Sequence, residues 1–143
     1  MKIGELAKVA RCPVETIRYY EREGLLAPPL RSAGNFRLYG PAHVERLRFI
    51  RNCRALDMSQ DEIRRLLELS DNPAAACGAV NTLFDEHIAH VEERIRELSQ
   101  LREQLAALRR GCQNDARVND CGILQGLAEM DSGPRGTRHT HLG

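Results

Sequence analysis

Residues 80 to 110 constrain this chain most, because they contain neither proline nor glycine and their apolar members follow one period. Phe84, Ile88, Val91, Ile95, Leu98, Leu101, Leu105 and Leu108 recur by threes and fours. That spacing lays side chains along one stripe of an α-helix, which at 1.5 Å per residue rises about 45 Å. The stripe has the width of a coiled-coil seam, broken once by a three-residue stammer near Leu101, with Arg102 where strict heptads want an apolar side chain. Cysteines flank the helix: Cys77 stands just before it, and Cys112 and Cys121 just after it. A straight helix keeps Cys77 away from Cys112 of its own chain. A second copy running antiparallel would carry its own Cys77 to the far end, so the pattern predicts a homodimer with two shared three-thiol sites.

Arg109, Arg110 and Gly111 close the helix: the arginines complement its carbonyl end, and glycine suits the residue just past it. Eight residues rich in Asn and Asp separate Cys112 from Cys121, and Ile123, Leu124 and Leu127 mark a short closing helix. A loop with a thiol at each end can turn both sulfurs toward one point. Three thiolates form a soft, anionic, low-coordination site, suited to Cd(II), Hg(II) and Pb(II), and they leave Zn(II) short of a fourth ligand. Cys77, near a helix start, is expected to favour its thiolate. His87 and His90, three apart on one helix face, could join His139 and His141 in a second, nitrogen-based metal site; the alternative is solvated histidines and a flexible tail. Cys12 and Cys53 read as small packed residues.

Composition narrows the classes. Aromatic residues make up 4% of the chain and Trp is absent, which disfavours an aromatic-lined pocket for a flat organic ligand. The net charge of +1 is unevenly spread: residues 1–68 carry 13 Lys and Arg against 9 Asp and Glu, and residues 69–143 carry 8 against 11. The first half is thus the candidate polyanion binder. No stretch resembles a signal peptide or membrane span, so a cytoplasmic protein without a membrane partner is expected. There thiols stay reduced, and five cysteines fit metal or redox chemistry better than structural disulfides.

In that basic half, Ile3, Leu6 and Ala7 face one way on a first short helix, interrupted at Arg11-Cys12-Pro13. A second helix runs from Val14 to Glu23 and stops at Gly24. The pair is a helix-turn-helix candidate. Thr16, Arg18, Tyr19 and Tyr20 give its second helix a hydroxyl, a guanidinium and two phenols, groups that meet phosphates and base edges; for Tyr20, packing in the core is an equal alternative. Ala33-Gly34-Asn35 predicts a turn, and Phe36-Arg37-Leu38-Tyr39 alternates apolar inward and polar outward, as in a small hairpin. Arg31 and Arg37 flank that turn and read as a wing on the phosphate backbone. A third helix follows from Pro41 to about Ala55, and Ser59-Gln60-Asp61-Glu62 is a capping box opening a fourth.

Thr16-Ile17-Arg18-Tyr19-Tyr20-Glu21, Gly24-Leu25-Leu26, Arg31, Asn35-Phe36-Arg37-Leu38-Tyr39 and Leu56-Asp57-Met58-Ser59 resemble the winged-helix half of the mercury-resistance regulator (MerR) family of transcription factors. The resemblance implies that Arg18, Tyr19, Arg37 and neighbours such as Asn35 and Tyr39 hold promoter DNA. Cys77-Gly78, Val80-Asn81, Asp85-Glu86-His87-Ile88, His90-Val91 and Cys121-Gly122-Ile123-Leu124-Gln125 resemble most the cadmium- and lead-responsive branch. The mercury branch uses three cysteines in this arrangement too, so spacing does not choose the metal; Cys77 argues against the monovalent copper branch.

The expected fold is mainly α. Its parts are a winged helix-turn-helix DNA-binding domain with a small β wing (1–71), a hinge (72–79), an antiparallel coiled-coil dimerisation helix (80–110), a metal-binding loop with a short helix (111–130) and a tail (131–143). The expected function is metal-responsive regulation without catalysis, on a pseudo-palindromic operator. The family further implies that metal makes the dimer distort promoter DNA for RNA polymerase. A thiol redox sensor on the same scaffold and a metal-sequestering protein are the alternatives.

Overall fold

The computed structural model describes residues 1–112 and 117–133. In chain order the elements are α1 (Ile3–Ala10), α2 (Val14–Arg22), β1 (Leu30–Arg31), β2 (Arg37–Leu38), α3 (Pro41–Ala55), α4 (Gln60–Ser70), α5 (Cys77–Arg109), a 3-10 turn (Val118–Asp120) and α6 (Gly122–Glu129). Residues 1–83 form one compact unit, and the chain from Phe84 onward forms another.

Local chemistry sets the breaks in the first unit. Arg11 takes a left-handed backbone, φ 53°, that turns the chain out of α1, and the Cys12 N–H donates to the Ala7 carbonyl at 3.0 Å. Pro13 precedes the first turn of α2, where a missing N–H costs nothing. Gly24 ends α2 at φ 74°, a conformation that only glycine adopts freely, while the Leu25 N–H donates to Tyr20 O. The capping box opens α4 as expected: the Glu62 N–H donates to Ser59 Oγ at 3.1 Å, and the Ser59 N–H to Glu62 Oε1 at 2.9 Å.

Two apolar clusters hold these helices. Leu6, Ala10, Ile17, Leu26, Tyr39 and Leu47 make one; Leu25, Ile50, Cys53, Met58, Ile63, Leu66, Leu67 and Leu83 make the other. Cys53 is a core residue and Cys12 packs partly buried on the first cluster; burial pushes both thiols above their ordinary pKa. Both are packed residues, as the sequence suggests.

The wing departs from the alternation expected of it. β1 and β2 pair antiparallel, Leu30 with Leu38 and Arg31 with Arg37, but each has only two residues and both are exposed throughout. Phe36 and Leu38 face outward, and Tyr39 alone turns into the core. A two-residue ribbon has no second layer to cover an inward face, so period-two reasoning does not apply. Phe36 lies instead under the Lys2 ammonium, 5.4 Å from its ring centre.

α5 begins at Cys77, three residues earlier than its apolar period indicates, so Cys77 is the helix's first residue. Along it Phe84, Ile88, Val91, Ile95, Leu98, Leu101 and Leu105 are all exposed, Leu105 to 59%.

Candidate metal centre and nucleic-acid interface

At the end of α5 the chain turns back so that Gly111 and Gly122 abut. A Cβ on Gly122 would lie 2.2 Å from the Gly111 carbonyl oxygen, and one on Gly111 would lie 3.1 Å from the Gly122 carbonyl carbon. Gly111 stands just past α5, as expected; its φ lies outside the left-handed region, and close backbone approach is what disfavours a side chain there. Leu108 and Gly126 extend the contact, since a Cβ on Gly126 would sit 3.1 Å from Leu108 Cδ2. Arg109 Nη1 donates to the Cys112 carbonyl at 2.6 Å and fastens the start of the loop.

This closure unites Cys112 and Cys121, which immediately flank the abutting glycines. Cys121 stands just before α6, and the backbone N–H groups of Ile123 and Leu124 belong to the first turn that follows it. They hold its thiol below the ordinary value of 9.0, against the opposing effect of burial, and the Cys112 side chain adds to the lowering. Two soft donors, one biased toward thiolate, are a chemically apt start for a thiophilic ion. Cys77 is exposed at the first position of α5.

Of the four histidines considered for a second metal site, His87 is buried and His90 half-buried, with rings 6.4 Å apart and edge to face. His139 and His141 lie outside the described residues.

The basic unit presents α2 and the wing. Arg18 and Tyr19 are exposed on α2; Thr16 is half-buried. Tyr20 is partly buried against both apolar clusters, so packing occupies most of its ring. The Tyr19 hydroxyl donates to Gln60 Oε1 at 2.7 Å. In the wing, Asn35 takes φ 62°, and Arg31 Nη1 donates to both its carbonyl and its side-chain oxygen at 3.3 Å, so these two residues brace one turn. Arg18, Glu21, Arg22 and Arg37 line a concavity of about 510 Å³. Tyr39 is 3% exposed and reaches this surface only through its hydroxyl, which donates to Glu21.

Three side chains that sequence reasoning passed over secure the carbonyl end of α2. Arg64 Nη1 donates to Glu23 O at 2.6 Å, Arg46 Nε to Leu25 O at 3.1 Å, and Gln60 meets the Glu23 carboxylate at 3.4 Å. Arg64 supplies a partner that the last carbonyls of a helix lack, and the other two hold the chain just past it. Arg46 also grips Asp71 with two bonds of 2.9 Å, which holds the Asp71 carboxyl below its ordinary value. No spacing in the sequence announces such long-range partners.

Residues 1–70 match the MerR HTH family of regulatory proteins, and residues 44–108 match the MerR DNA-binding family. An HTH-type transcriptional regulator ZntR homolog of Haemophilus influenzae is 51% identical over 109 residues, 76% of this chain and 81% of the relative. Among solved structures, the transcription regulator PbrR691 from Ralstonia metallidurans, in complex with lead(II), is 54% identical with TM-score 0.81, covering 89% of this chain and 98% of that one. The MerR regulator from Bacillus megaterium, in complex with a mercury(II) ion, is 29% identical with TM-score 0.73, covering 90% and 100%. Among the described residues no helix is long and apolar enough to cross a membrane.

Proposed function

The chain belongs to the MerR family of helix-turn-helix regulators, and on that premise we propose that it acts as a dimer on promoter DNA, activating transcription when soft divalent metal binds. It is a heavy-metal-sensing transcriptional activator, and DNA-binding regulation, not catalysis, is its activity. The observation that supports the metal site is the closure of Gly111 on Gly122, whose immediate chain neighbours are Cys112 and Cys121.

Two thiolates do not complete a low-coordination site, and Cys77 of the partner subunit is the third donor we assign. α5 rises about 50 Å over its 33 residues, with Cys77 at its first position and Cys112 just past its last. A partner helix running antiparallel answers this separation. The exposed stripe from Phe84 to Leu105 supports such pairing, since covering a half-exposed aliphatic side chain is worth on the order of 1 kcal/mol. The lead(II)-bound relative favours Cd(II) or Pb(II) as inducer, ahead of Hg(II) and Zn(II).

Arg18, Tyr19, Thr16 and Arg37 would meet a pseudo-palindromic operator, with α2 in a major groove and the wing on adjacent backbone. Distorting such a site for RNA polymerase costs on the order of 1–6 kcal/mol. Thiolate sites bind zinc with about 10–16 kcal/mol, so a modest difference in affinity between two dimer conformations suffices to switch it.

The test is an anaerobic Cd(II) titration of the reduced protein, followed by thiolate-to-metal ultraviolet absorbance, for wild type and Cys77→Ser. Two strong sites per dimer that weaken sharply in the variant are expected; an unchanged titration would remove Cys77 from the site. The Cys112–Cys121 contact also favours a second reading, a thiol redox sensor in which peroxide oxidises this pair to a disulfide and is reduced to water. A promoter response to peroxide, with none to metal in reducing buffer, would select it.

A further inference from the structure

A carboxylate on the DNA-facing side of a recognition helix repels phosphate, so Glu21, on α2 among Arg18, Arg22 and Arg37, needs a reason. Its two oxygens are both engaged. Oε1 accepts the Tyr39 hydroxyl, and Oε2 lies 3.9 Å from Arg37 Nη1. The Glu21 side chain is 14% exposed, while Arg37 keeps half of its surface in solvent. The guanidinium is thus held from one side and open on the other.

Tyr39 is a fixed anchor for this arrangement. Its ring lies in the cluster with Leu6, Ile17 and Leu47, its edge meets His43 at 5.1 Å, and its backbone N–H donates to Met1 O at 2.8 Å. Burial first, and then the bond to Glu21, pushes its phenol up to about 12, so it remains a neutral donor at any working pH. Glu21, Arg37 and Tyr39 belong to different elements: Glu21 rides on α2, Arg37 opens β2, and Tyr39 follows β2. The bonds of Tyr39 to Met1 and the Lys2 ammonium over Phe36 tie the wing to the start of the chain, and Glu21 ties it to α2.

We propose that Glu21 is a positioning residue for DNA binding: anchored by Tyr39, it holds the wing in register with the recognition helix and aims Arg37 at a backbone phosphate. An arginine so held loses less freedom on meeting phosphate than a free one. The inference rests on the DNA-binding reading above and adds residues with no direct contact of their own to make.

The test uses the full-length dimer and an operator duplex selected by the wild-type protein from a randomised pool. Affinity is measured against salt concentration for wild type, Tyr39→Phe, Arg37→Ala and the double variant. Tyr39→Phe keeps the ring and the Glu21 charge, so it changes only the anchor. Loss of one phosphate contact in Arg37→Ala should flatten the slope of log K against log salt by about 0.9. Tyr39→Phe should weaken binding about three- to tenfold and flatten the slope in the same direction, and it should add nothing in the Arg37→Ala background. Equal weakening by Tyr39→Phe in both backgrounds would mark a merely structural role and overturn the proposal. At matched charge, Glu21→Gln, which keeps an acceptor for Tyr39, should bind at least about threefold more tightly than Glu21→Leu; equal affinities would also overturn it. If the wild-type protein selects no duplex, the DNA-binding reading itself falls, an outcome distinct from either of these.

Discussion

The unit formed by residues 1–83 and the one beginning at Phe84 treat their apolar residues in opposite ways. The first turns Ile17, Leu47, Ile50 and Ile63 inward until each is nearly or wholly buried, and it ties its helix ends with Arg46, Arg64 and the Ser59–Glu62 box. The second leaves the α5 stripe from Phe84 to Leu105 in solvent and makes its close contacts where Gly111, Gly122, Leu108 and Gly126 meet. A set of short helices can close on itself because its turns reverse the chain. A long helix with one apolar seam cannot fold onto itself, and on the dimer reading proposed above its seam meets a second chain. Apolar residues at helical spacing make a core in one unit and an open seam in the other.

Mutation can break that contrast. Ile50, fully buried, should cost about 2–5 kcal/mol when cut to alanine, read by urea unfolding. Leu98→Asp on the open stripe should instead dissociate the dimer, by a hundredfold or more on the scale of about 1.4 kcal/mol per tenfold, with little loss of helix in the monomer. Sedimentation velocity against protein concentration checks it. If Leu98→Asp left the dimer intact, the seam would not be the interface.

A smaller effect is expected at the closure beyond α5. Gly122→Ala places a methyl group 2.2 Å from the Gly111 carbonyl oxygen, which must part the two backbones and separate Cys112 from Cys121. Cd(II) affinity should fall about 10- to 100-fold, as for lost supporting contacts around other metal ligands, while α2 and the wing are untouched. Competition with a chelating dye measures the fall. Retained affinity would mean that the thiols find each other without the glycine contact.

The smallest effect concerns how the first unit is tied off. Arg46 holds the Asp71 carboxyl below its ordinary value of 3.8, so the folded form binds that proton less readily than the unfolded one. The stabilisation is present above pH 3.8 and fades as pH falls through the lowered folded value. Asp71→Asn should therefore slightly flatten the acid limb of a thermal-melt series and leave melting near pH 7 changed by only a small fraction, since the pair is exposed. An identical acid limb in the variant would show that Arg46 gains nothing from the charge.

Most helices were legible because their signals are local. Proline before α2, Gly24 after it and the S-x-x-E box at α4 each act within one turn, and the period of α5 lies in the chain itself. Of the three thiols, the sequence placed Cys112 and Cys121 at the two ends of one short loop, and the structure closes that loop at Gly111 and Gly122; the part of Cys77 from a second chain is a proposal. The wing was not legible in detail: alternation predicted an inward Phe36, and the ribbon is too short to have an inside. Glu21 also escaped notice, because an acid on a basic face has meaning only once Tyr39 and Arg37 stand beside it.

What the sequence determined by itself is the inventory of elements and the chemistry at their ends, since capping, periodicity and ligand softness depend on residue type and spacing along the chain. Only the tertiary structure decided which glycine serves a close approach, which tyrosine faces inward and which carboxylate steadies an arginine. These depend on distances between residues more than ten positions apart in the chain, which no local pattern encodes.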